Sequence, residues 1–178
     1  MKYKLTDETM TTYSGVLLHR IECVRSFENV KAGDLGGWIE KEENLSQDGD
    51  CWVYGNAEVY GNALVCGNAL VYGNADVCSN SKVYGNAEVC GNALVCGNAL
   101  VCGNALICNS NDYIVFKNNW SSGRHFTWTR SNDKWKVGCF YGTGKELIEK
   151  AYKDSKLSGD CYKAYVELIE KLKEQQKQ

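Results

Sequence analysis

The chain has no proline, only two histidines and only two methionines in 178 residues. Without proline, collagen-like and polyproline architectures are excluded. The two histidines, His19 and His125, both lie outside the central repeat, which excludes a histidine-rich metal cluster or a histidine base within it. No run reaches the roughly 20 apolar residues of a helical membrane span. Residues 1–10 alternate charge and polarity without an apolar stretch, so the expectation is a cytoplasmic chain that does not engage a membrane. A net charge of one sign is also lacking, at a formal −2 overall. The balance is local instead: residues 1–112 carry 7 Lys/Arg against 14 Asp/Glu, and residues 113–178 carry 13 against 8. Such asymmetry suits surfaces for different partners, head-to-tail attraction between copies, or ordinary solvated faces.

Cysteine and glycine are abundant, at 10 and 18 residues. In a cytoplasmic chain the cysteines are read as reduced thiols rather than a disulfide framework. From Val53 the sequence runs VYGNAE, VYGNAL, VCGNAL, VYGNAD, VCSNSK, VYGNAE, VCGNAL, VCGNAL, VCGNAL, ICNSND, ten hexads without a gap, and residues 47–52 make a degenerate eleventh. A six-residue period with an aliphatic first position and a small fifth is the signature of a parallel β-helix. An α-helix would not tolerate Gly-Asn at every sixth residue. In the β-helix each hexad is one short strand and one corner. Valine and alanine point inward, and Gly-Asn occupies a left-handed bend where stacked asparagines can form a hydrogen-bonded ladder. At about 4.8 Å per coil, eleven hexads give fewer than four coils and a prism of roughly 17 Å.

The repeat and the segment VKAGDLGGWIEKEENLSQDGDCWVYGNA at residues 30–57 resemble the left-handed β-helix hexapeptide-repeat proteins of the YdcK type. The resemblance covers about residues 1–112 and implies the left-handed coil. The GNA run is also similar to short accessory proteins carried on bacteriophage genomes, which implies a phage or prophage origin. Acyltransferases are the best-known proteins of this fold, and they use a histidine base at a trimer cleft beside a projecting loop. The repeat here has neither histidine nor insertion, so the sequence reading is a binding protein without enzymatic activity, cofactor or metal.

Side chains at the positions flanking each valine point outward, and residues 18 apart stack. The last coil then presents Leu94, Cys96, Leu100, Cys102, Leu106 and Cys108, an apolar surface of the kind that marks an interface. Either the C-terminal segment covers it or a second copy does, and a homo-oligomer is the expectation. Cysteines spaced by six fall on different faces and cannot converge on one ion.

The fold class expected is mainly β, with an N-terminal cap (residues 1–46), the β-helix (47–112) and a C-terminal α+β unit (113–178) of order βββαα. The cap is read as a strand at residues 15–25 and a glycine-rich turn at 32–38, with Trp38 and Trp52 as plugs. The unit is read as strands at 113–117, 124–130 and 134–141, then two helices, the first opened by a capping box of Thr143 and Glu146. Cys161, Tyr165, Leu168, Ile169 and Leu172 are read as the core stripe of the second helix. Trp120, Arg124, Trp128, Arg130, Lys134 and Lys136 interleave basic and aromatic residues and are the candidate binding residues, while Phe126 and Trp128 equally suit a sheet core. The functional expectation is a phage accessory protein that binds and inhibits a host protein, with a nucleic-acid-handling defence protein as the candidate partner. Nucleic-acid or nucleotide binding by the basic unit is the alternative.

Overall fold

The computed structural model describes residues 1–176. The chain divides into two compact units: Met1–Ile114 with Thr129–Asn132, and Val115–Trp128 with the chain from Asp133 onward.

The first unit begins with three strands, β1 (Tyr3–Thr11), β2 (Leu17–Cys23) and β3 (Leu35–Ile39). The hexads then form ten strands of two residues each: β4 (Trp52–Val53), β5 (Glu58–Val59), β6 (Leu64–Val65), β7 (Leu70–Val71), β8 (Asp76–Val77), β9 (Lys82–Val83), β10 (Glu88–Val89), β11 (Leu94–Val95), β12 (Leu100–Val101) and β13 (Leu106–Ile107). They stack as three parallel sheets in the orders β3-β5-β8-β11, β4-β7-β10-β13 and β6-β9-β12, with β1 and β2 extending the first as an antiparallel edge. The parallel β-helix read from the period is therefore present. Val59, Val65, Val71 and their equivalents are fully buried, as are Ala69, Ala75 and Ala87. The asparagine ladder also forms: Asn62 Nδ2 donates to Asn80 Oδ1 at 3.1 Å, and Asn68 to Asn86 at 3.0 Å.

Two readings of the N-terminal cap change. The first coil is not a hexad, because β3 and Leu45, bridged to Val65, fill its first two sides, which brings the stack to about four coils. The glycine-rich segment expected to be a turn supplies this strand. A Cβ at Gly36 would lie 2.5 Å from Ile21 Cγ1 and 2.7 Å from the Val53 carbonyl oxygen, so glycine serves close backbone approach. Trp52 does not plug the end of the prism; it points outward and is covered by Tyr3 and Phe27, with ring centroids 6.2 and 5.6 Å away.

The stack has a direction. The N–H of each coil donates to a carbonyl of the next, as in Asp76 to Ala93 (2.9 Å) and Glu88 to Ala105 (2.8 Å). The first coil is therefore left with open carbonyls and the last with open N–H groups. Acceptors close the last coil: Ser110 Oγ takes the Leu94 N–H, Tyr113 Oη that of Cys96, Ser131 Oγ that of Leu106, and Asp112 Oδ2 that of Cys108. Donors close the first coil, Lys2 Nζ and Tyr3 Oη among them.

One corner breaks the glycine rule. Ser79 takes the glycine position of its hexad at φ 62°, where a side chain costs about 1–2 kcal/mol. Ser79→Gly is expected to stabilise the chain by about 0.5–1 kcal/mol after allowing for the looser unfolded state; chemical denaturation of the two proteins measures it.

From Tyr113 onward the chain forms a sheet of order β14-β15-β16-β17, from β14 (Tyr113–Lys117), β15 (His125–Thr129), β16 (Lys134–Val137) and β17 (Phe140–Gly142), followed by α1 (Gly144–Asp154) and α2 (Lys156–Gln175). The third expected strand is two, because Gly138 turns the chain at φ +52°. The capping box forms as read: Thr143 Oγ1 accepts from the Glu146 N–H (3.3 Å) and Glu146 Oε2 accepts from the Thr143 N–H (2.7 Å). The core stripe of α2 is Ser158, Tyr162, Val166 and Ile169, and Leu168 and Leu172 face outward. Cys161, Leu168 and Leu172 lie on a second apolar stripe turned away from the first, which the helical period alone does not rank.

Candidate functional site

Parallel, in-register pairing turns the outward side chains of the first unit into columns. Trp38, Glu58, Asp76 and Leu94 form one, Trp52, Leu70, Glu88 and Leu106 a second, and Leu64, Lys82 and Leu100 a third. Tyrosines brace the carboxylates from the next column. Tyr60 Oη donates to Asp76 Oδ2 at 3.0 Å and Tyr72 Oη donates to Glu88 Oε2 at 2.8 Å. Glu58 and Asp76 sit one above the other. Burial pushes both carboxyls up, the Asp76 charge adds to the rise at Glu58, and the Tyr60 hydroxyl partly restrains Asp76. Asp76 Oδ1 is buried without a hydrogen-bond partner.

The six residues expected at an interface divide. Leu94 and Leu106 are 40% and 42% exposed and Cys108 is exposed; Cys96 and Leu100 are half-buried. Cys102, at 5% exposure, is a buried side chain rather than an interface residue. No disulfide links the cysteines. Burial pushes the Cys66 and Cys78 thiols up, and a hydrogen bond with Cys90, followed by burial, pushes Cys108 up to about 11. These thiols are therefore protonated near neutrality and are weak nucleophiles.

The six candidate binding residues divide as well. Trp128 is core: it is 3% exposed and its Nε1 donates to Asp133 Oδ1 at 2.8 Å. Phe126 is buried among Phe116, Trp135, Tyr162 and Tyr165, with ring centroids 5.0 to 5.9 Å apart, which resolves this strand as the floor of the sheet core. Lys134 and Lys136 alternate with buried Trp135 and Val137 and so belong to the opposite face of β16. Arg130 belongs to the first unit, where its N–H donates to the Asp112 carbonyl. Trp120 is exposed beside Cys161, Tyr165 and Leu168.

Arg124 alone of the six lines the hollow of about 340 Å³ between the sheet and the helix joint of the second unit. Lys150, Asp154, Ser122 and Tyr162 join it there, none of them a residue that sequence reasoning had assigned to a site. They lie on ordinary polar helix faces or in a loop, and only the turn from α1 into α2 gathers them.

No family model matches the chain. A segment of the chain is similar to a stretch of the uncharacterized acetyltransferase YdcK of Escherichia coli (strain K12). The two are 40% identical over 60 residues, a segment that is 30% of this chain and 18% of that relative. The match and the coil geometry together fit a left-handed hexapeptide-repeat β-helix. The match also corrects the expectation of a chain without enzymatic activity, since the relative's name is that of an acetyltransferase. Among the described residues, no helix is long and apolar enough to cross a membrane.

Proposed function

We propose that the chain is a phage or prophage accessory protein that uses the outer face of its last coil to bind and inhibit a host protein, a nucleic-acid-handling defence enzyme being the class of partner. The observation that carries this reading is the exposure of Leu94 and Leu106 on a coil whose N–H edge is already closed by Ser110, Tyr113, Ser131 and Asp112. A closed edge cannot recruit another strand, so attachment falls to the side chains. Those side chains stand on a hydrogen-bonded stack that loses little conformational entropy on binding. The phage origin rests on the likeness of the GNA run to phage accessory proteins.

The test is affinity purification from host lysate with the tagged chain and with Leu94→Asp/Leu106→Asp. The reading expects one stoichiometric host protein, inhibited by the purified chain, with both capture and inhibition lost in the variant. Equal retention by the variant contradicts it. A dimer in sedimentation that dissociates in the variant would assign the face to a second copy instead.

Acetyl transfer is a second reading, favoured by the name of the relative that matches a segment of the chain. His19, whose Nδ1 is 3.3 Å from the Thr6 carbonyl oxygen, and His125 are the imidazoles available for it. Turnover of acetyl-CoA with an amine acceptor, lost in His19→Asn or His125→Asn, would establish that reading.

A further inference from the structure

The hollow in the second unit arises from the helix joint. Ser155 is both the last cap of α1, its N–H donating to the Ala151 carbonyl, and the first cap of α2, its Oγ accepting from the Ser158 N–H. A one-residue joint makes the helices diverge at once and leaves space against the sheet. The space is bounded by apolar Val137, Phe140 and Leu147 and by three charged groups, Arg124, Lys150 and Asp154.

The wall that carries Arg124 is preorganised. Asn118 is fully buried; its Nδ2 donates to Ser121 Oγ (2.8 Å), and its Oδ1 accepts from the Ser121 N–H (3.1 Å). Ser122 Oγ and Tyr162 Oη are 2.9 Å apart and tie the same loop to α2. Gly138 leaves room for the guanidinium, since a Cβ there would lie 3.0 Å from Arg124 Nη1. No ion pair within 4.0 Å engages Arg124, Lys150 or Asp154 among the described residues.

The C-terminal end of α1 and the N-terminal end of α2 meet at the hollow, so their dipoles oppose each other and the side chains set the charge. Two cations against one carboxylate favour an anionic ligand that also offers a donor. A guanidinium fork and an ammonium together match the dianion of a phosphate monoester. Asp154 accepts from hydroxyl groups, and the apolar wall takes a ring. The volume is at the lower end of small-molecule sites. A nucleic-acid strand is a poorer match, because Lys134 and Lys136 are on the far face of β16 from Val137.

We propose that this hollow binds a small organic phosphate, with the phosphate on Arg124 and Lys150, a hydroxyl on Asp154 and the body against Phe140 and Leu147. The site is independent of the coil face discussed above. Calorimetric titration of the full chain with AMP, adenosine and inorganic phosphate tests it. The expected result is saturable one-to-one binding of AMP, none of adenosine, and roughly tenfold weaker binding in Arg124→Ala and in Lys150→Ala, the loss of one charge-assisted hydrogen bond each. Lys136→Ala, on the opposite face, should bind as wild type. Absence of saturable binding, full affinity in Arg124→Ala, or an equal loss in Lys136→Ala would overturn the proposal. Tighter retention of a single-stranded oligonucleotide than of AMP would also overturn it, in favour of a polymer.

Discussion

Replacing Lys2 with alanine is expected to destabilise the first unit by about 3 kcal/mol, a large effect for a residue type that ordinarily lies at the surface. Lys2 is 1% exposed. Its Nζ donates to the carbonyl oxygens of Gly49 (3.2 Å) and Cys51 (2.9 Å), approaches Cys51 Sγ at 3.2 Å, and lies 5.2 Å from the centroid of the Phe27 ring. The direction of the coil explains the choice of residue. The first coil ends in carbonyls, which need donors, and an ammonium supplies three from one side chain. Alanine removes the donors and leaves a cavity; methionine restores most of the volume and none of the donors. Urea denaturation of Lys2→Ala and Lys2→Met separates the two contributions. If Lys2→Met matched the wild type, packing rather than capping would be what Lys2 provides.

The second large effect is a dependence on pH. Asp76 and Glu58 both have folded-state pKa values above their ordinary range, so folding favours their protonated forms. Their contribution to stability is complete below the unfolded-state values near 4 and is lost as pH rises through the folded-state values. The first unit should therefore lose stability on their account as pH rises above about 4. Asp133 and Glu146, in the second unit, are held below their usual range, by Lys173 and Trp128 in one case and by Thr143 in the other, and act in the opposite sense. Asp76→Asn isolates the first effect. The amide keeps an acceptor for Tyr60 and removes the charge shared with the unpartnered oxygen. It is expected to stabilise the chain by about 1 kcal/mol at pH 7, after discounting for solvent screening, and to flatten the pH profile of stability. Denaturation between pH 4 and 8 decides it: a less stable variant at pH 7, or an unchanged slope, would show that Asp76 is ionised and satisfied.

The coils were legible because every demand on a hexad is local. Valine fits the interior and a Gly-Asn corner tolerates the bend, so eight of the ten hexads state the same answer. The first coil was not legible, since Gly36 and Gly37 serve contacts with Val53 and Ala57 that are distant in sequence, and glycine in a sequence ordinarily indicates a turn. Strand β1 was missed for a related reason: its residues are largely polar and its order comes from pairing with β2. Arg124 could be singled out from its alternation with Phe126, but Lys150 and Asp154 could not. They are four residues apart on a charged helix face, and their relation to Arg124 exists only after α1 has packed on the sheet.

The coil of 18 residues underlies the columns, the capped ends and the Asp76–Glu58 stack, and through-hydrogen-bond scalar couplings in NMR test it most directly. The account predicts couplings from the Asp76 amide nitrogen to the Ala93 carbonyl carbon, from Cys78 to Val95 and from Glu88 to Ala105, each advancing 17 residues. Couplings between neighbouring hexads, or an antiparallel pattern among residues 53–107, would contradict it.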